Sequence, residues 1–235
     1  MVKNIIILHG WQSKIKRWQS FREKLAKYFK VYLPVMPGFG DKKLSQPLML
    51  DDYISWLKDY LNKNKIYRPV IIGHSFGGRV AIRFIAEGNE CDKLILIAAA
   101  GIKPPIGIKQ IVGLILAKLG KLIFCLPLVS VLKNPARWLL YTFLREKDYY
   151  LADENLKETM KNILKIDLTP QLTKINIPTL IMWGRQDKAT PVANGYLMKQ
   201  KITNAQLKIW DEGSHALPFE KTEEIVKIII NFCRQ

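Results

Sequence analysis

The stretch from Pro69 to Gly78 constrains this chain more than any other. An apolar run, Pro69 to Ile72, breaks into Gly73-His74-Ser75-Phe76-Gly77-Gly78 and then at once into a segment of helical period. A lone serine with glycine two places away on either side describes a turn so tight that side chains at 73 and 77 would collide with their surroundings. G-x-S-x-G is weak by itself, since any glycine-rich strand-to-helix turn can produce it. Between a buried strand and a helix it predicts a serine hydroxyl lifted to the top of a sheet, where it can attack a substrate.

The remaining chain supplies that sheet. Short, apolar, β-branched runs at about 5–8, 31–34, 70–74, 94–98, 178–183 and 206–210 alternate with amphipathic segments. This pattern predicts an α/β fold with a mainly parallel six-stranded sheet and helices on both faces. Trp18, Phe21, Leu25 and Tyr28 share one helical stripe. Tyr53, Trp56, Leu57 and Tyr60 form a second, and Val80, Ala81, Phe84 and Ile85 a third that Gly88 ends. A last helix at about 221–233 carries Ile225, Val226, Ile229 and Phe232. At 235 residues and 49% hydrophobic content, one such domain fills the chain.

The rhythm breaks once, between Gly101 and about Lys174. The reading is a core of residues 1–101 and 175–235 with a helical lid, residues 102–174, inserted before the last two strands. A first lid helix, Gln110 to Leu126, gathers Ile111, Ile115, Leu119 and Leu122 on one broad face. A second follows Pro135, and a third, capped by Asp153, aligns Leu156, Met160, Ile163 and Leu164. Lys118, Lys121 and Pro127 keep every apolar run short of the ~20 residues a membrane span needs, leaving contact with a lipid surface as the membrane alternative. Gly101 to Pro105 and Asp167 to Pro178 are the candidate hinges.

A serine hydroxyl needs a base to take its proton, and the chain has three histidines. His74 adjoins the nucleophile, where its side chain is expected to point away from the reaction centre. His9 ends the first strand. His215 lies in a loop between the last strand and the last helix, late in the chain, and is the expected base. The base in turn needs a carboxylate to hold its tautomer. Asp187, just past the strand Thr179 to Trp183, is the expected partner, with Asp211 on the histidine's own loop as competitor. The oxyanion of a tetrahedral intermediate requires donors. The backbone N–H groups of Phe76 and of Trp11, in His9-Gly10-Trp11, are the candidates, and both residues are expected to touch substrate.

The formal net charge of +17 has a functional reading, attraction to an acidic partner, and a compositional one. Of the 37 basic residues 28 are lysine and 9 arginine, with no basic run of five, so nucleic acid is not expected as a partner. Cys91, Cys125 and Cys233 are odd in number and widely spaced, which suggests neither disulfides nor a zinc site. No cluster has metal-ligand spacing, so no metal or other cofactor is expected. The apolar run at Ile5 to Leu8 lacks the length of a secretory signal, which sets the expectation of a cytoplasmic protein.

Ile-Ile-Leu-His-Gly-Trp at 6–11, Pro37-Gly38-Phe39-Gly40, Gly-His-Ser-Phe-Gly-Gly, Trp-Gly-Arg-Gln-Asp at 183–187 and Gly213-Ser214-His215 together resemble the α/β-hydrolase superfamily, in its small carboxylesterase branch. Two departures stand out. The chain starts at the family's third strand, so the leading hairpin is expected to be missing. Val35-Met36 stands before Pro37 where Asp-x is frequent. The resemblance implies ester hydrolysis through an acyl-enzyme, on small or medium acyl esters. Other readings are a methyl ester esterase serving an acidic acyl carrier protein, a carbon–carbon bond hydrolase or lactonase with the same triad, a lipase at a membrane surface, and a non-catalytic binding module. Epoxide and carbon–halogen chemistry, which uses an aspartate nucleophile in this superfamily, is disfavoured by Ser75.

Overall fold

Ile5 and Ile7 turn to one side of the first strand, Ile6 and Leu8 to the other, and all four are fully buried. A strand that is dry on both faces needs a layer of structure on each. The computed structural model, which describes residues 3–11, 13–40, 43–103 and 153–235, has that layering. Six parallel strands, β1 (Asn4–Leu8), β2 (Lys30–Tyr32), β3 (Val70–His74), β4 (Lys93–Ile97), β5 (Thr179–Gly184) and β6 (Ala205–Trp210), form one sheet in the order β2-β1-β3-β4-β5-β6. All five pairings are parallel. The chain steps outward from β1 to β2 and then returns to the far side of β1. The crevice between the ends of β1 and β3 is therefore a topological switch point, where open α/β sheets bind ligands.

One face carries α1 (Gln19–Ala26) and the last helix, α7 (Thr222–Arg234). Trp18, Phe21, Leu25, Ile225, Val226 and Ile229 pack there on Ile5, Ile7, Val70, Ile72, Ile95 and Leu180. The other face carries α2 (Leu50–Lys63) and α3 (Phe76–Ala86), with Tyr53, Leu57, Val80, Ala81 and Phe84 over Ile6, Leu8, Ile71, Leu94 and Ile181. The expected stripes thus become two cores. Tyr28 departs from its stripe: α1 ends at Ala26, so Tyr28 lies past the helix and is half exposed. Gly88 follows α3 with φ +86°, as a helix-ending residue in the left-handed region should.

Beyond β4 the chain is described again from Asp153, whose carboxylate accepts from the Leu156 N–H at 2.9 Å and caps α4 (Glu154–Leu164). Leu156 and Ile163 face inward, but Leu164 is exposed and Thr159 takes a buried place instead. The Thr159 hydroxyl donates to the Asn155 carbonyl and accepts from the Leu48 N–H at 2.8 Å, so an inward polar group ties α4 to the approach to α2. The chain then turns through a 3-10 helix, Thr169–Lys174, with Leu168 and Leu172 fully buried in the α2/α3-side core. Buried Arg79, one turn into α3, donates to the carbonyls of Ile163 and Ile166 at 2.9 and 2.6 Å and so fastens this returning segment to the helix behind Ser75. The lid helices expected over Gln110 to Leu126 and after Pro135 lie outside the described residues, as does Cys125. Among the described residues no helix is long and apolar enough to cross a membrane. The sheet is completed by α5 (Val192–Lys201) and by the one-turn helix α6 (Leu217–Glu220) that follows the His215 loop.

Candidate active site

Ser75 stands between β3 and α3 with φ 52° and ψ −115°, a conformation that L-residues rarely adopt. Its backbone is pinned on both sides: the N–H donates to the Ile97 carbonyl at 3.2 Å, and its carbonyl accepts from Ala100 and Gly78. The glycines around it are sterically required. A Cβ at Gly77 would lie 2.0 Å from the Leu8 carbonyl oxygen, one at Gly73 2.6 Å from the Gly78 Cα, and one at Gly78 2.4 Å from the Ala99 Cβ. The strained turn is held because strand β1 and the end of β4 close on it from two directions.

Ser75, His215 and Asp187 come together from the ends of three strands. Ser75 Oγ lies 3.0 Å from His215 Nε2, and His215 Nδ1 lies 2.8 Å from Asp187 Oδ2. Asp187 Oδ1 also accepts from the Ala189 and Thr190 N–H groups at 2.8 Å each, and Thr190 Oγ1 sits 2.9 Å from Oδ2. Burial pushes this carboxyl up, but the hydrogen bonds and charge of His215 and the donors of Thr190 outweigh it and hold Asp187 below the usual carboxylate range. Asp187 is thus kept as an anion facing the imidazole. Asp211, the competitor, is exposed and pairs with Arg185 at 2.6 Å.

The other histidines are buried and do different work. The Met36 N–H donates to His9 Nε2 at 3.1 Å, while His9 Nδ1–H donates to the Gly10 carbonyl at 2.8 Å. His9 therefore steadies the loop at Met36-Pro37, where no aspartate is present to do so, and burial lowers its pKa. His74 does not point away from the reaction centre. Its ring lies 5.1 Å from that of His215, and its Nε2 is 3.0 Å from the His215 carbonyl oxygen. The residue that precedes Ser75 thus reaches a loop 141 positions further along the chain. Burial above all, and then the His215 charge, push its pKa down to about 3.

Trp11 and Phe76, whose N–H groups are the candidate oxyanion donors, follow the two switch-point strands. Phe76 opens α3, where a helix leaves its first N–H groups without internal partners. Their rings meet edge to face at 5.3 Å, and Phe39 closes on Trp11 at 5.0 Å. The sequence places both residues near Ser75 but gives no sign of this aromatic bracket. Thr190, which braces Asp187, carries only a faint signal in the sequence, an Asp followed by a hydroxyl residue three places on, as in a side-chain-to-backbone turn. Among the described residues no group of three or more His, Cys, Asp or Glu side chains is placed to hold a metal ion. Cys91 and Cys233 are buried free thiols.

A parallel sheet wound about a switch point, with a serine on a strained strand-to-helix turn, defines an enzyme of the α/β-hydrolase class. The chain belongs to the family described as serine aminopeptidase, S33, which it matches over residues 1–222. It is 25% identical to the 2-hydroxy-6-oxo-6-phenylhexa-2,4-dienoate hydrolase of Comamonas testosteroni, over 98% of this chain and 87% of that protein. It is 28% identical to the AB hydrolase superfamily protein YisY of Bacillus subtilis, over 97% and 90%. Among solved structures, an esterase from Exiguobacterium antarcticum superposes with a TM-score of 0.76 at 19% identity, covering 99% of this chain and 92% of that one.

Proposed function

We propose that the protein is a serine hydrolase that cleaves carboxylic esters of small or medium acyl groups through an acyl-enzyme. The observation that carries this reading is the unbroken line from Asp187 Oδ2 through His215 to Ser75 Oγ, at 2.8 and 3.0 Å. Neutral His215 takes the serine proton at Nε2 as Oγ adds to the ester carbonyl, and Asp187 stabilises the imidazolium that forms. The oxyanion is received by the N–H groups of Phe76 and Trp11, each such donor being worth ~3–4 kcal/mol. Collapse expels the alcohol, which takes the proton from His215. Water, activated by the same imidazole, then adds to the acyl-enzyme and frees Ser75 and the acid.

A second reading is favoured by the relatives. The substrate in the name of the Comamonas testosteroni protein has no ester or amide, so its hydrolysis must break a carbon–carbon bond beside a ketone. The same serine and histidine can serve such a step. The test is kcat/KM of the pure protein on p-nitrophenyl esters of graded chain length, a 2-hydroxy-6-oxo-dienoate and an aminoacyl p-nitroanilide. The proposal expects the short and medium esters to lead. A lead of 100-fold or more for the dienoate or the anilide would replace ester hydrolysis as the main activity.

A further inference from the structure

We infer that His74 is a positioning residue, whose Nε2–H grips the backbone carbonyl of His215 and so lets the nucleophile's own neighbour set the base opposite it. The inference rests on the proposed roles of Ser75 and His215 and adds to them a residue that touches no reacting atom.

The tautomer follows from the contacts. His74 Nε2 faces the His215 carbonyl oxygen at 3.0 Å, while Nδ1 is buried with no hydrogen-bond partner among the described residues. A proton on Nδ1 alone would set two lone pairs against each other at Nε2. A proton on both nitrogens would bury a charge with one donor unsatisfied. The neutral ring protonated at Nε2 makes the observed contact attractive and buries no charge. Trp18 at 5.5 Å, Phe219 at 6.2 Å and the His215 ring at 5.1 Å enclose it. Behind it the ring packs close on Gly10, where a Cβ would lie 2.9 Å from His74 Nδ1.

A buried ring with an orphan nitrogen calls for an explanation beyond packing. Its place supplies one. Ser75 is fixed by the turn, so a bond from residue 74 to residue 215 closes a short circuit through Ser75 Oγ and His215 Nε2. The ring of His215 is held by Asp187 Oδ2, with Thr190 Oγ1 3.3 Å from Nδ1, but the other braces on the loop's backbone hold its neighbours: Glu220 accepts from the Ser214 N–H and hydroxyl at the surface, and the Gly213 carbonyl accepts from Gln186. His74 holds the backbone of His215 itself. Without that bond the imidazole should meet Oγ less often in line, which slows proton removal without weakening substrate binding.

Two substitutions of equal length separate positioning from packing. His74→Gln keeps an N–H donor the same number of bonds from the backbone as Nε2, whereas His74→Met fills similar space and cannot donate. The probe is an alkyl fluorophosphonate, which reacts covalently with an activated serine and releases fluoride. Its saturating inactivation rate and its binding constant are measured on the full chain, beside thermal unfolding. The expected result is a rate at least tenfold lower in His74→Met and within about threefold of wild type in His74→Gln, with binding constants unchanged. Thermal stability should not follow that order, the methionine variant being at least as stable as the glutamine one. Equal rates in the two variants, or a rate that simply tracks stability, would overturn the inference. Ser75→Ala in parallel guards the reading beneath it: labelling that survives this change refutes the nucleophile assignment, whatever His74 does.

Discussion

Asp211 precedes His215 by four residues on the same loop, yet its carboxylate turns outward to Arg185 at 2.6 Å and leaves the imidazole to Asp187, 28 residues away. Proximity in sequence favours Asp211, but burial separates the two, Asp187 being 6% exposed and enclosed by the Thr190 donors. Asp187→Asn should lower kcat by about 10³- to 10⁴-fold, because the amide cannot hold the same tautomer of the base. Asp211→Asn should change it by less than threefold, since an exposed ion pair is worth ~1 kcal/mol or less to stability and touches no reacting group. Steady-state rates of the two variants on one ester check both.

Glycine is demanded at two positions for different reasons, and the costs should differ. At Gly77 a Cβ would strike the Leu8 carbonyl oxygen at 2.0 Å, so Gly77→Val should cost more than ~4 kcal/mol or prevent folding. At Gly88 a Cβ meets nothing within 4 Å but the φ of +86° is strained for an L-residue, and Gly88→Ala should cost only about 1–2 kcal/mol. Urea unfolding of both variants distinguishes a collision from a strained dihedral.

Much of this was legible beforehand. The alternation of apolar runs and amphipathic helices carried the sheet, because strands such as Ile5 to Leu8 and Leu94 to Ile97 are buried on both faces and must be apolar throughout. The glycine spacing carried the turn at Ser75. What did not show in the sequence depends on contacts between distant segments. The reach of His74 to the His215 carbonyl joins residues 141 apart, and Arg79 finds its carbonyl partners 84 and 87 residues on. The sequence does not show the outward face of Leu164, because Thr159, polar yet hydrogen-bonded, takes an inward place that hydrophobic period alone would not assign it.

Buried neutral histidines make stability depend on pH. His74 carries a pKa of about 3 in the fold against an ordinary 6.5, with burial the largest cause, and that of His9 is lowered for the same reason. Between pH 6.5 and about 3 the unfolded chain binds a proton at residue 74 that the folded chain refuses. Stability from this group is therefore full above that window and falls as pH drops through it, by up to about 1.4 kcal/mol per pH unit. Thermal unfolding should weaken already between pH 6.5 and 4.5, and the loss should be shallower in His74→Met.

The net charge of +17 bears on partners. If it is compositional, kcat/KM for a neutral short ester should change less than twofold between low and high salt. Service to an acidic carrier protein predicts instead a strong preference for the carrier-linked methyl ester that vanishes as salt screens charges beyond ~8–10 Å. The first outcome is expected. The second would direct attention to Lys118 and Lys121, which lie outside the described residues.

The central claim is that Ser75 Oγ forms the bond to the acyl group. The direct measurement is kcat/KM of Ser75→Ala on the best p-nitrophenyl ester, with thermal unfolding recorded on the same sample. Alanine keeps the backbone of the strained turn and removes only the hydroxyl, so activity should fall at least 1,000-fold, with only oxyanion-hole and binding contributions remaining, while the unfolding temperature stays within a few degrees. A folded Ser75→Ala protein that retains a tenth of wild-type activity would contradict the account.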